Sequence, residues 1–265
     1  MIGTILLVFD LLLLTIASVI TFPLSRLIGL FDRHARDVFC LGFVKLAMKS
    51  FIFYAGAKVK YIGLENLPPK GKAVVYIGNH RGFFDIVALY AVVPDLTGFV
   101  AKEEMRKWPL IGWWMSSVYC LFLNRKNKRD GLKTIMKGIE QIKSGVSMVI
   151  YPEGTRSRQE GVLGDFHPGS FKLATKPRAD IIPVISSNSG GILDDHFPWI
   201  RHTTMCMEIG KPIPTEGLSD EEILALPART HKIIYERLIA NGKAIGSLPE
   251  DFEAPAAKAE DQASE

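Results

Sequence analysis

Apolar positions crowd the amino terminus of the chain. From Ile2 to Leu24 the only charge is Asp10, and as a helix at 1.5 Å per residue this run would reach roughly 35 Å, enough to cross a bilayer. A carboxylate at mid-bilayer costs about 2.5 to 3.5 kcal/mol, so the run is expected either to span or to lie half-immersed in one leaflet. No basic residue precedes it and no Ala-x-Ala site follows it, which predicts a retained anchor rather than a cleaved signal. A second stretch, Phe39 to Ala57, mixes Leu41, Phe43, Val44, Phe51 and Tyr54 with Lys45 and Lys49. That pattern suits a membrane interface, where lysines reach up to headgroups; a buried globular helix is the alternative.

Further along, Ala73 to Ile77, Val146 to Tyr151 and Ile181 to Ser186 are short, apolar and rich in β-branched residues, which predicts buried strands. Between the first two, Leu132, Ile135, Met136, Ile139 and Ile142 recur at helical spacing, with Asp130 as the candidate cap and Gly145 as the stop. Glu221 to Ala240 reads as a helix interrupted by Pro227. Strands alternating with helices predict an α/β fold, a mixed sheet flanked by helices, with ligands gathering beyond the carboxyl ends of the strands. The expected organisation is membrane-anchoring helices over residues 1–60, an α/β domain over 61–247 and a disordered acidic tail over 248–265.

Charge sharpens this picture. The formal net charge is +4, yet the tail from Glu250 to Glu265 holds six acids and one lysine, so the remainder stands near +9. A basic body beside an apolar segment attracts anionic headgroups or phosphorylated substrates. No nucleic-acid motif accompanies the charge, so nucleic acid is not an expected partner. Arg26, Arg33 and Arg36 follow the first apolar run, which by the positive-inside bias places the body on the cytoplasmic face of an inner or plasma membrane. Cys40, Cys120 and Cys206 lack any short mutual spacing and are expected to be small buried hydrophobes.

Two segments carry candidate chemistry. In Asn79-His80-Arg81-Gly82-Phe83-Phe84-Asp85 a histidine and an aspartate five apart straddle a strand-to-helix turn. If Asp85 accepts from Nδ1 of His80, Nε2 is left as a base for an alcohol proton; the alternative is a structural histidine with an aspartate near a helix start. No Gly-x-Ser-x-Gly elbow is present, which favours direct attack by a substrate hydroxyl over an acyl-enzyme. In Tyr151-Pro152-Glu153-Gly154-Thr155-Arg156-Ser157-Arg158 a glycine turn and two guanidiniums follow a strand, either as a phosphate grip or as a solvated basic loop. Other clusters read more plainly. Asp194-Asp195-His196 lacks partners at metal-ligand spacing and is expected in a loop, 187–191 reads as a flexible loop with an anion nest as the alternative, and Trp108, Trp113 and Trp114 as packing residues with a membrane-interface contact as theirs.

Together the two segments resemble blocks of the glycerolipid acyltransferase family, most like its bacterial 1-acylglycerol-3-phosphate acyltransferases. Asn79, His80 and Asp85 match the family's Asn-His-x-x-x-x-Asp, and Tyr151 to Ser157 matches Phe-Pro-Glu-Gly-Thr-Arg-Ser. Between them, Lys102 to Gly112 with Leu123-Asn124-Arg125 is similar to a third block, and Phe166 to Ala174 with Ile182-Pro183-Val184 to a fourth. Met105 stands where leucine is usual and Gly82 where serine is often found.

The resemblance implies acyl transfer from acyl-CoA or acyl-carrier protein to the sn-2 hydroxyl of lysophosphatidate in membrane lipid, giving phosphatidate, with no further cofactor and no metal. It implies His80 as general base, Asp85 as its partner, Lys102, Arg125 and Arg156 on the acceptor phosphate, and Glu153, Gly154 and Thr155 around the glycerol, with Asn79 supporting. Glycerol-3-phosphate or another lysophospholipid as acceptor, or a catalytically silent lipid-binding protein, are the alternatives.

Overall fold

The computed structural model describes residues 2–124 and 127–253; Arg125 and the acidic tail from residue 254 lie outside the described residues. In chain order the elements are helices α1 (Ile2–Phe31) and α2 (Arg33–Ala55), strand β1 (Lys58–Ile62), β2 (Val75–Gly78), α3 (Phe83–Val92), β3 (Thr97–Lys102), α4 (Ile111–Ser117), β4 (Leu121–Leu123), α5 (Lys128–Lys143), β5 (Ser147–Ile150), α6 (Lys172–Thr175), β6 (Ile181–Ser187), β7 (Thr204–Ile209) and α7 (Asp220–Ala244). The strands form one sheet in the order β1-β7-β6-β2-β5-β3-β4. All neighbours are parallel except β6 and β7. The sheet is therefore mixed, as expected.

Strands β2, β5 and β6 are buried on both faces, which is why they read as unbroken apolar runs. The two-residue alternation sends Tyr76 to one core and Val75 and Ile77 to the other. Tyr76, Val149 and Val184 meet α3 through Phe84, Val87 and Ala88, and α2 covers that layer with Leu41, Val44 and Phe51. On the opposite face Val75, Ile77, Met148 and Ile150 meet Ile139 and Ile142 of α5 and Ile234 and Leu238 of α7.

Several sequence expectations are corrected. Helix α5 is capped by Asn127, which accepts from the amides of Arg129 and Asp130, so Asp130 lies inside the first turn. Helix α7 runs on through Pro227, with a Ser219–Glu222 capping box setting its start. Lys45 does not reach for headgroups: its ammonium donates to the Val93 carbonyl at 2.7 Å. Trp114 packs inside, stacked on Phe43, but Trp108 and Trp113 are half exposed. The turn over 187–191 is built in rather than loose, with Ser187, Ser189 and Gly190 buried and the Asn188 amide donating to Thr203 and Thr204. The three cysteines are free and buried.

Helices α1 and α2 are each long and apolar enough to cross a membrane. Yet the pair lies side-on along the domain. Near its start Thr4 accepts from the Ile200 amide at 2.9 Å, midway Ser18 accepts from the Trp114 indole at 3.0 Å, and past the turn Asp37 accepts from the Tyr119 hydroxyl at 2.6 Å. Asp10 faces α2, where the Ser50 hydroxyl donates to it at 2.9 Å.

Candidate active site

The parallel strands β2, β5 and β3 release their chains at a single edge, and the segments Asn79–Asp85 and Tyr151–Ser157 meet there. His80 follows β2, and Asp85 sits in the first turn of α3. Asp85 is fully buried, and its Oδ2 takes three N–H groups: His80 Nδ1 at 2.9 Å, the Arg81 amide at 2.7 Å and the Gly82 amide at 2.9 Å. With two backbone N–H groups already donating to Oδ2, that oxygen serves as an acceptor toward His80 as well, so Nδ1 carries the hydrogen and Nε2 is the nitrogen left for a substrate. The imidazole stacks on Tyr151, with centroids 4.2 Å apart and planes 8° from parallel, which holds the ring against rotation. Its side chain keeps 16% exposure, enough for access from one side.

Glu153 approaches His80 from behind. Its carboxylate accepts the His80 amide at 2.7 Å and the Gly164 amide at 2.9 Å, tying the 154–164 loop to the β2 exit. Burial pushes its pKa up to about 7 against the pull of those two donors. The Ser157 amide donates to the His80 carbonyl at 2.8 Å, which places Arg156 next to the histidine. Gly154 takes φ +72°, the left-handed geometry a glycine tolerates best, and turns the chain so that Thr155 and Arg156 face out.

Of the remaining sequence candidates, Lys102 ends β3 and is exposed, about 10 Å from β2 across two strand spacings. Asn79 is buried and mends the edge: it donates to the Ser186 carbonyl and accepts from the Ser186 amide, both at 2.8 Å. Asn79 therefore clamps β2 to β6.

The sequence reading missed a second tier of residues. The Arg81 guanidinium is buried, donates to both oxygens of Asp195 at 2.7 Å, and lies 3.7 Å from Glu160. Burial raises the Glu160 pKa to about 7, partly offset by the Asn188 amide and the Arg81 charge. Asp194 bridges Arg156 at 2.8 Å and the Phe83 amide at 2.8 Å. The turn Asp194–His196, read from sequence as a plain loop, thus closes one side of the site. A Cβ on Gly82 would sit 2.6 Å from Asp194 Oδ2, so glycine at this position leaves the space the aspartate fills.

The fold and this pair place the chain among mixed-sheet α/β domains that carry a His–Asp pair at the carboxyl edge of the sheet. Residues 58–187, just under half of the chain, match the family model described as Acyltransferase. It is 32% identical over 196 residues to a Saccharomyces cerevisiae 1-acyl-sn-glycerol-3-phosphate acyltransferase, covering 73% of this chain and 63% of that protein. To a chloroplastic 1-acyl-sn-glycerol-3-phosphate acyltransferase of Brassica napus it is 33% identical, covering 69% and 53% respectively. The matched stretch therefore spans about half to two thirds of those relatives. The crystal structure of the 1-acyl-sn-glycerophosphate (LPA) acyltransferase PlsC from Thermotoga maritima shares the fold, with a TM-score of 0.74 at 22% identity, over 90% of this chain and 94% of that one.

Proposed function

We propose that this chain transfers a fatty acyl group from a thioester donor, acyl-CoA or acyl-carrier protein, to the sn-2 hydroxyl of 1-acylglycerol-3-phosphate, giving phosphatidate. The observation that carries the proposal is His80 Nδ1 held 2.9 Å from the buried Asp85, with no partner on Nε2 among the described residues. Nε2 takes the hydroxyl proton as the oxygen attacks the thioester carbon, and Asp85 stabilises the imidazolium that forms. When the tetrahedral adduct collapses, the C–S bond breaks and the imidazolium returns the proton to the departing thiolate. Such proton transfer contributes about 10² to 10⁴-fold. Arg156, beside His80, is proposed to hold the acceptor phosphate, with Lys102 and Arg125 as further cations.

The amino-terminal pair is proposed as the lipid seat. Ile5, Val8, Phe9, Leu12, Ile16 and Val19 form an exposed stripe along α1. Because the pair touches the domain from Thr4 to Asp37, it cannot stand upright through a bilayer without carrying the domain in with it. The half-immersed arrangement fits, with the domain on the cytoplasmic face.

The test incubates the full chain with acyl-CoA, acyl-carrier-protein thioester, 1-acylglycerol-3-phosphate, glycerol-3-phosphate and other lysolipids, and identifies products by mass spectrometry. Phosphatidate formation that His80→Ala abolishes is the expected result. Product from glycerol-3-phosphate alone would reassign the acceptor, and lipid binding without thiol release would make the chain a binding protein. Arg156→Ala should raise the acceptor KM with a smaller effect on kcat, and an unchanged KM would return Arg156 to a solvated loop.

A further inference from the structure

The proposed phosphate grip is not free. Arg156 Nη1 donates to Asp194 Oδ1 at 2.8 Å, and the other oxygen of the same carboxylate takes the Phe83 amide at the amino terminus of α3. A guanidinium and a helix-terminal N–H converging on one anion is the donor set that recognises a phosphate. Here the anion is a side chain of the protein itself. We propose that Asp194 is a specificity residue that occupies the seat of the acceptor's phosphomonoester in the empty enzyme and must be displaced for the acceptor to bind, a role that rests on the acyltransferase reading of Arg156.

Three features support it. The seat is reachable, since the Arg156 side chain is 48% exposed and that of Asp194 17%. The turn carrying Asp194 is pinned by its neighbours, so only one side chain has to swing: Asp195 grips Arg81 with both oxygens, and the Arg201 amide donates to the Ile192 carbonyl at 2.8 Å. Gly82 is the third. A Cβ there would lie 2.6 Å from Asp194 Oδ2 and 3.0 Å from the Gly190 amide, so any larger residue would drive the carboxylate out.

An internal competitor weakens apparent affinity by the fraction of time it holds the seat. A neutral acceptor group cannot compete for Arg156, whereas a doubly charged phosphomonoester can. Asp194 thereby sets a threshold of charge for acceptor binding.

The test compares wild type, Asp194→Asn, Asp194→Ala, Arg156→Ala and the Asp194→Asn/Arg156→Ala double variant, all full length in detergent. Short-chain lysophosphatidate turnover is read as thiol release, and inorganic phosphate binding as a shift in thermal melting. Both Asp194 variants should lower the acceptor KM by roughly 3- to 10-fold, leave the thioester KM unchanged, and bind phosphate more tightly by the same factor. The gain should vanish in the double variant. If Arg156→Ala raises KM but neither Asp194 variant lowers it, or both lose kcat with a higher KM, Asp194 is a loop brace and the inference falls alone. If Arg156→Ala leaves KM unchanged, the phosphate reading falls and takes the inference with it.

Discussion

Replacing Asp85 by asparagine separates charge from geometry at this site to an unusual degree. All three donors to Asp85 converge on Oδ2, while Oδ1 is buried with no hydrogen-bond partner among the described residues. An asparagine with its oxygen in the Oδ2 position keeps the bonds from His80, Arg81 and Gly82, and its amide nitrogen takes the empty corner. The histidine tautomer and ring orientation are then retained and only the negative charge is lost. A unit charge centred about 4 Å from the imidazolium, at an effective dielectric near 20, is worth roughly 4 kcal/mol. At 1.36 kcal/mol per decade, kcat should fall by about 10³-fold with the acceptor KM little changed. Burying an amide without an acceptor should also cost about 1 to 3 kcal/mol of stability. The assay is thiol release from an acyl thioester with short-chain lysophosphatidate, alongside a thermal melt. A kcat within tenfold of wild type would refute the claim that the carboxylate's charge assists the base.

Two further outcomes follow from burial. The Glu153 pKa rises from 4.5 to about 7 on folding, so its contribution to stability is full below pH 4.5 and is lost as pH rises through 7, a difference of about 3 kcal/mol. Unfolding midpoints at pH 5 and pH 8 should differ less in Glu153→Gln than in wild type, Glu160 still contributing in the same sense; equal differences would sink the assignment. For the lipid seat, Leu12→Glu with Ile16→Glu should cut vesicle co-sedimentation more than 100-fold, since each apolar side chain withdrawn from lipid forfeits about 1.5 to 3 kcal/mol. Turnover of a dispersed short-chain acceptor should survive, and undiminished vesicle binding would show that this stripe does not enter lipid. Truncation is a poorer test, because α2 supplies Leu41, Val44 and Phe51 to the core beneath α3.

What could be read directly from the chain was local. The apolar runs located β2, β5 and β6 within a residue or two, because strands buried on both faces need no polar alternation. The pairing of His80 with Asp85 was foreseeable, since a five-residue separation across a strand-to-helix turn brings the two side chains within reach. The Tyr151 to Ser157 block likewise sat at a strand end, where α/β sheets present their loops.

The rest depended on which strands lie side by side, and no periodicity encodes that. Glu153 bonds the amide of His80, 73 residues away, only because β5 pairs with β2. Asn79 clamps Ser186 because β6 lies on the other side of β2. Asp194 and Asp195 read as an ordinary loop because their partners, Arg156 and Arg81, are 38 and 114 residues distant and reach them only through the folded sheet edge. Residue order and periodicity were enough to place an apolar helical pair ahead of an α/β domain carrying a histidine, a carboxylate and arginines at strand ends. Tertiary structure alone decided which cations are already neutralised and which carboxylates face inward, because ion pairing depends on distance in space and falls away too quickly for spacing along the chain to predict it.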